Sequence, residues 1–294
     1  MKSYETTASN ELELFLKSNE ISGQFQLIRP SKGWASLGLR DIWEYRELLL
    51  FLVAREIKGV YRQTALGSSW LFLRPILNML VLSLVFGRIV KVPTDGIPYP
   101  IFSLAALLPW SFFSNGVTRS SRSLVDNIHV ISKVYFPRMV IPISGALSGL
   151  PDFLAAFAVL LVTLLLYRMP LRWEMLWLPG FLLVALFFSL AIGLWLATLS
   201  VKYRDVSFAV LFLLQVLMYL SPVIYPVSLI PPQYQAIYQL NPMAGVIQGF
   251  RWALLGSEAP PGPIFLLSVL IVIIALISGA YIFRRTERTV VDIL

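Results

Sequence analysis

The residues best placed to do chemistry are cations and aromatic rings at the edges of long apolar runs. Arg55, Lys58 and Arg62 recur at three- and four-residue steps, a spacing that puts them on one side of a helix. Arg74 lies about one turn inside the apolar run that begins at residue 69, and Asp152 lies within a later run. An ionised group in such a run is expensive without a partner or water, so each is a functional candidate. For Arg74 the alternative is a side chain that reaches back to the polar boundary along its own aliphatic stem. For Asp152 the preferred alternative to a proton relay is a structural hydrogen bond beside a proline kink, or a shallow position in the run. Trp110, Phe112, Phe113, Tyr219 and Tyr225 offer flat faces on which sugar rings could stack in a conduit, although core packing and interfacial belts account for most aromatics in such proteins.

Much other chemistry is ruled out. The 294 residues include no cysteine and one histidine, His129, which removes disulfides, thiolate metal sites and cysteine nucleophiles and makes a histidine-built triad or metal site hard to assemble. No catalytic residue and no metal ligand is assigned. A Gly-Lys pair occurs nowhere, so a phosphate-cradling loop of the Walker type is excluded. Ser148-Gly149 faintly resembles an intramembrane serine nucleophile, but the sole histidine lies in a separate loop. Gly145, Ser148 and Gly149 suit close helix packing instead.

Composition defines what must hold these residues. The chain is 57% hydrophobic and 14% charged, with a mean hydropathy of +0.74, well outside the range of a soluble globular protein. The net charge of +8 is read as membrane topology rather than as affinity for nucleic acid. Six candidate spans fall at 69–90, 98–117, 139–167, 175–200, 206–225 and 264–283, each near the roughly 20 apolar residues needed to cross a bilayer. The third is overlong and holds Pro142 and Pro151, so a kink or a partly interfacial segment is expected there. The fold expected is therefore an all-α integral membrane protein with a transmembrane domain at 69–283.

Residues 1–38 are polar, carry Glu5, Glu11, Glu13 and Glu20, and lack the pattern of a cleaved signal peptide, so they are expected to stay in the cytoplasm. From 39 to 68 an amphipathic interfacial helix is predicted. Ile42, Tyr45, Leu49, Leu52, Val53, Ile57 and Val60 form one face, and Glu44, Glu47, Arg55, Lys58 and Arg62 the other. Lys and Arg flanking the spans number twelve on the side of the two termini and five, at Arg88, Lys91, Arg168, Arg172 and Arg251, on the other, which places both termini, including the tail 284–294, inside. The external segment 226–263 is apolar and cut by seven prolines, which predicts short re-entrant or interfacial helices. The internal loop 118–138 mixes charge and hydrophobes through Val125, Asp126, Asn127, Ile128, His129, Val130, Lys133 and Tyr135. It is read either as a short helix docking into a cytoplasmic partner or as a connector at the headgroups.

Five stretches carry a resemblance: REIKGVYRQTALG at 55–67 with Trp70, ISKVYFPR at 131–138, YRD at 203–205, LSPVIYP at 220–226 and NPMAGVIQGFRWALLG at 241–256. In this order they are similar to the membrane subunits of ABC-type polysaccharide exporters, the Wzm, KpsM and TarG group of type 2 ABC transporter permeases. The resemblance implies a homodimer in the bacterial inner membrane, bound to two ATPase subunits that hold ATP and Mg, and exporting a lipid-linked glycan. It implies that 118–138 is the coupling loop, that Leu66 and Gly67 form the turn near the cytoplasmic entrance, and that 226–263 holds two gate helices. Arg55, Lys58, Arg62 and Arg74 would then meet the lipid headgroup. The rival expectations are a permease of the same superfamily for a small amphiphile or drug, and an integral-membrane glycosyltransferase. The second would need a paired acidic motif or a membrane-facing histidine, and neither is visible in the sequence.

Overall fold

A computed structural model describes residues 39–61, 66–133, 136–203 and 205–287, and every regular element among them is helical. Arg62, Tyr135, Arg204, residues 1–38 and the tail from 288 lie outside the described residues. Five helical segments are long and apolar enough to cross a membrane: Gly67–Ile89, Tyr99–Asp126, Val140–Leu166, Trp173–Lys202 and Ile264–Glu287.

The interfacial stretch forms α1 (Leu39–Glu44) and α2 (Arg46–Tyr61). Its apolar stripe packs on the flank of the bundle. Leu52 is buried with Leu124, Ile131, Met139 and Ile141, and Ile42, Tyr45, Leu48 and Leu49 close over the same cluster. Trp43, Leu50 and Phe51 remain exposed, as suits a helix lying at a headgroup boundary. A short turn at Gly67–Ser69 leads into α3 (Trp70–Leu82), which continues as a π-helical segment over Ser83–Ile89.

The centre of the bundle is α4 (Tyr99–Asp126), a 28-residue helix buried along most of its length. It runs past the expected end of the second span because the polar stretch that follows still satisfies itself helically. Thr118, Ser121 and Ser123 each donate a hydroxyl proton back to the carbonyl of Ser114, Thr118 or Ser120. After Asn127, α5 (Ile128–Ile131) is one turn long.

The third apolar run breaks into α6 (Val140–Leu147) and α7 (Leu150–Leu166). The break falls at Ser148–Gly149, where Pro151 occupies the first turn of α7, the helical position that tolerates a missing N–H. Next come α8 (Leu178–Lys202) and α9 (Val206–Tyr219), the latter only 14 residues long. Residues 220–226 are turns rather than a continuation of the helix. The external segment holds α10 (Pro232–Gln239) and α11 (Pro242–Leu255), and α12 (Ile264–Glu287) closes the described chain.

Helix α4 packs most extensively on α8, and α8 also packs on α12. Small residues allow the approach: a Cβ on Gly193 of α8 would stand 2.4 Å from the Cβ of Ser120 on α4. In contrast, α3 and its π-helical extension contain no buried residue.

Candidate functional site

Gly67, expected near the entrance, has a φ of +52° in the left-handed region and begins the turn that leads into α3. Leu66 beside it is exposed. One turn into α3, the Arg74 guanidinium lies 5.8 Å from the centre of the Trp70 ring and forms no ion pair with any described residue.

Both side chains line a cavity of about 190 Å³ between α3, α4 and α7. Asn78 lies on the α3 wall, Ser111, Phe112, Ser114 and Asn115 on the α4 wall, and Asp152 and Phe153 on the α7 wall. Phe112 meets Phe153 edge-on with ring centres 5.7 Å apart. Aromatic faces, amides, hydroxyls, a carboxylate and a cation therefore share one small space, a set able to receive an anionic, hydroxyl-rich group.

The structure sorts the other aromatic candidates. Trp110 and Phe113 are buried against each other, and Phe113 stacks on Phe188 at 5.0 Å, all within the protomer's core. Tyr219 is exposed, and its carbonyl accepts from the Tyr225 hydroxyl at 2.9 Å. The Tyr238 hydroxyl donates to that of Tyr225 at 3.2 Å, joining α10 to the turns after α9.

Around α5, Val125, Asp126, His129 and Lys133 are exposed, with Ile128 and Val130 half-buried. Asn127 and Ile131 point inward and anchor the turn, Ile131 in the cluster with Leu52. The loop is braced from behind by α12, since the backbone N–H of Arg138 donates to Glu287 Oε1 at 3.1 Å. Arg284 of α12 also pairs with Asp41 of α1 at 3.4 Å.

Two sets of residues expected to act separately are joined here. Arg55, assigned to the entrance, donates directly to the side-chain oxygen of Asn127, assigned to the docking loop. Lys58 is exposed on the same helix.

Sequence reasoning passed over several polar residues. Arg119 donates to Ser148 Oγ at 2.8 Å and pairs with Asp152 at 2.9 Å, and Ser148 donates to Glu56 at 3.1 Å. Burial pushes the Glu56 carboxyl up from its ordinary range, opposed by the Ser148 hydrogen bond and by Arg119 and Arg55. Asp152 was visible as a costly charge, but its partner lies 33 residues away on another helix, and spacing gave no sign of it.

In α11, Arg251 is fully buried. It donates to the carbonyls of Val223 and Tyr225, each at 3.1 Å, approaches Glu258 at 3.3 Å, and lies 3.6 Å from the centre of the Phe102 ring. Burial pushes Glu258 up, and Arg251 pulls it back. The available signal was a lone arginine in an apolar stretch, with a glutamate seven residues on, just past the glycine that ends the helix.

Apolar helices long enough to span, three of them enclosing a small cavity of mixed aromatic, amide and charged groups, define a multi-pass membrane protein. Residues 47–255 match the ABC-2 type transporter family, and the chain belongs to it. It is 32% identical over 254 residues, 85% of this chain and 96% of the other, to the O-antigen export system permease protein RfbA of Myxococcus xanthus. A protein of the same name from Klebsiella pneumoniae is 27% identical over 206 residues, covering 70% of this chain and 79% of the other. The polysialic acid transport protein KpsM of Escherichia coli is 26% identical over 244 residues, covering 81% and 92%.

Proposed function

We propose that this chain is the membrane subunit of an ATP-driven exporter that carries a lipid-linked polysaccharide, of O-antigen, capsule or teichoic-acid type, across the bacterial inner membrane. Two copies form the passage, and two ATPase subunits, which bind the ATP and Mg, dock on the inner turns around α5. The observation that carries this reading is the cavity between α3, α4 and α7. It places a cation without an ion-pair partner among the described residues beside aromatic and amide groups, in a chain similar over most of its length to permeases named for O-antigen export.

The chemistry follows from those residues. The phosphate of an anionic lipid carrier meets Arg55, Lys58 and Arg62 at the interface and passes to Arg74, whose charge it matches in a setting of low dielectric. Sugar rings find faces on Trp70 and Phe112 and hydrogen-bonding groups on Asn78 and Asn115. Few fixed charges line the spans, which suits a cargo that has to slide. Closure of the ATPase pair shifts the docking turns and biases the bundle between closed and open states.

Both termini lie inside, and the chain crosses six times. The fifth crossing is α9, whose 14 residues rise about 21 Å against the roughly 30 Å of a hydrocarbon core. Residues 220–226 extend it, their irregular backbone shielded because Ser221, Pro222, Val223, Ile224 and Pro226 are buried in protein. Helices α10 and α11 are the re-entrant pair that closes the outer end.

The test is export by the complete complex. Cells lacking the subunit should accumulate lipid-linked glycan on the inner leaflet and lose it from the surface. Arg74→Glu should reproduce that defect while leaving assembly with the ATPase intact. Normal surface glycan in the deletion strain overturns the reading.

A further inference from the structure

Four elements meet at the break between α6 and α7, and two neighbouring residues of α2 tie them together. Arg55 bonds to Asn127, the root of the one-turn helix α5. The next residue, Glu56, accepts from Ser148 at the α6–α7 break. Arg119 of α4 holds the same Ser148 hydroxyl with one guanidinium nitrogen and Asp152 of α7 with the other. Asp152 in turn lines the cavity that contains Arg74.

The two halves of the third span are held differently. Helix α6 is fastened to α4: Ser120 donates to the Pro142 carbonyl at 2.8 Å, and a Cβ on Gly145 would stand 3.1 Å from the Arg119 backbone. At Gly149 the nearest neighbour of such a Cβ is the Phe112 ring at 3.5 Å, ordinary contact, so the chain beyond the break is not wedged in the same way. The Arg119–Asp152 pair, together with the Phe112–Phe153 ring contact, sets the start of α7 against α4, and it is the polar and exchangeable part of that contact. With about a fifth of each side chain accessible, it can exchange without the full cost of stranding a buried charge.

We propose that this ladder is a transmission, with Arg119 as its positioning residue: displacement of the docking turn passes through Arg55, Glu56 and Ser148 to the Arg119–Asp152 pair and pivots α7, opening or closing the cavity. Asp152 has one cation behind it and another, Arg74, lining the same cavity. An anionic cargo on Arg74 removes an alternative partner for Asp152, so loading and the state of the docking turn bias one two-position carboxylate. The inference rests on the proposed docking of an ATPase around α5, and it adds the route from that surface to the cavity.

The experiment uses the complete complex in sealed proteoliposomes, with lipid-linked glycan extracted from the producing strain as the probe, and reads basal ATP hydrolysis, its stimulation by the probe, and export. In the wild type the probe should stimulate hydrolysis. Arg119→Gln should keep basal hydrolysis within about twofold but lose stimulation and export at least tenfold. Arg119→Lys should recover part of both, and the exchange Arg119→Asp with Asp152→Arg should recover more than either single change. Because the chain has no cysteine, spin labels can be placed cleanly at the exposed Arg122→Cys on α4 and Val162→Cys on α7. Their separation should change when ATP and vanadate trap the complex, and the change should vanish with Arg119→Gln. If that variant fails to assemble, the same distance measured in Asp152→Asn decides the matter. A wild type without stimulation overturns the exporter reading itself. A stimulated wild type alongside an Arg119→Gln or Asp152→Asn protein with an unaltered distance change overturns the transmission alone.

Discussion

Each end of the bundle contains an arginine paired with a carboxylate, and the two pairs are built to opposite ends. Arg119 and Asp152, toward the α5 end, are 20% and 21% exposed; Asp152 borders the cavity, and the pair joins α4 to α7. Arg251 on α11 and Glu258 just after it are 0% and 8% exposed, and the arginine also holds the carbonyls of Val223 and Tyr225. A charge with access to water can change partners, whereas a sealed one that also satisfies backbone carbonyls cannot leave without stranding them. The segment around Arg251 is therefore fixed by its own sealed pair, and the Arg119–Asp152 pair is the one able to change partners.

The most damaging way to test this contrast is Arg251→Met. It leaves Glu258 and two carbonyls buried without their donor, and a loss of about 3–5 kcal/mol is expected, read as unfolding of the purified protein followed by tryptophan fluorescence. Adding Glu258→Leu should return part of that loss. A drop no larger than that of the inner pair would erase the distinction. Next comes Arg119→Gln, for which a loss of about 1–2 kcal/mol is expected in the same measurement.

Gly67→Ala should cost about 1 kcal/mol through its left-handed backbone alone, because nothing lies within 4 Å of the added methyl group. The smallest effect is a dependence on pH. Burial makes folded Glu56 hold its proton above the ordinary value of 4.5, so the folded chain binds more protons than the unfolded one between 4.5 and the raised value. Stability should fall as pH rises through that window, and Glu56→Gln should flatten the slope. Melting midpoints across pH give the answer, and equal slopes in the two proteins would show that Glu56 titrates normally. The more deeply buried Glu258 should show the same sign, removed by Glu258→Gln.

What the sequence revealed follows from range. The apolar runs and the two-faced stretch from 39 are local patterns, and five long helices together with α1 and α2 appear close to where those patterns put them. Pro142 and Pro151 signalled an interruption in the third span, yet the break lies between them at Ser148–Gly149, where α6 is held by Ser120 and Gly145 rather than by either ring. The extension of α4 to Asp126 was hidden because serines are poor helix formers unless their hydroxyls fold back, as these do. Arg74 and Phe112 were named for separate reasons, and the cavity unites them. Arg251 could not be understood from spacing, since Phe102, Val223 and Tyr225 reach it from distant parts of the chain.

None of the residues of the first span, from Trp70 to Ile89, is buried by the chain that made it. Its large side chains at Phe72, Leu77, Leu80, Val81 and Leu84 are wetted by whatever surrounds the protomer, whether acyl chains, detergent tails or a second copy. That solvent is then a structural component of the folded protein. Extraction becomes a competition for this strip, and the choice and amount of surfactant will govern whether the purified chain keeps its fold.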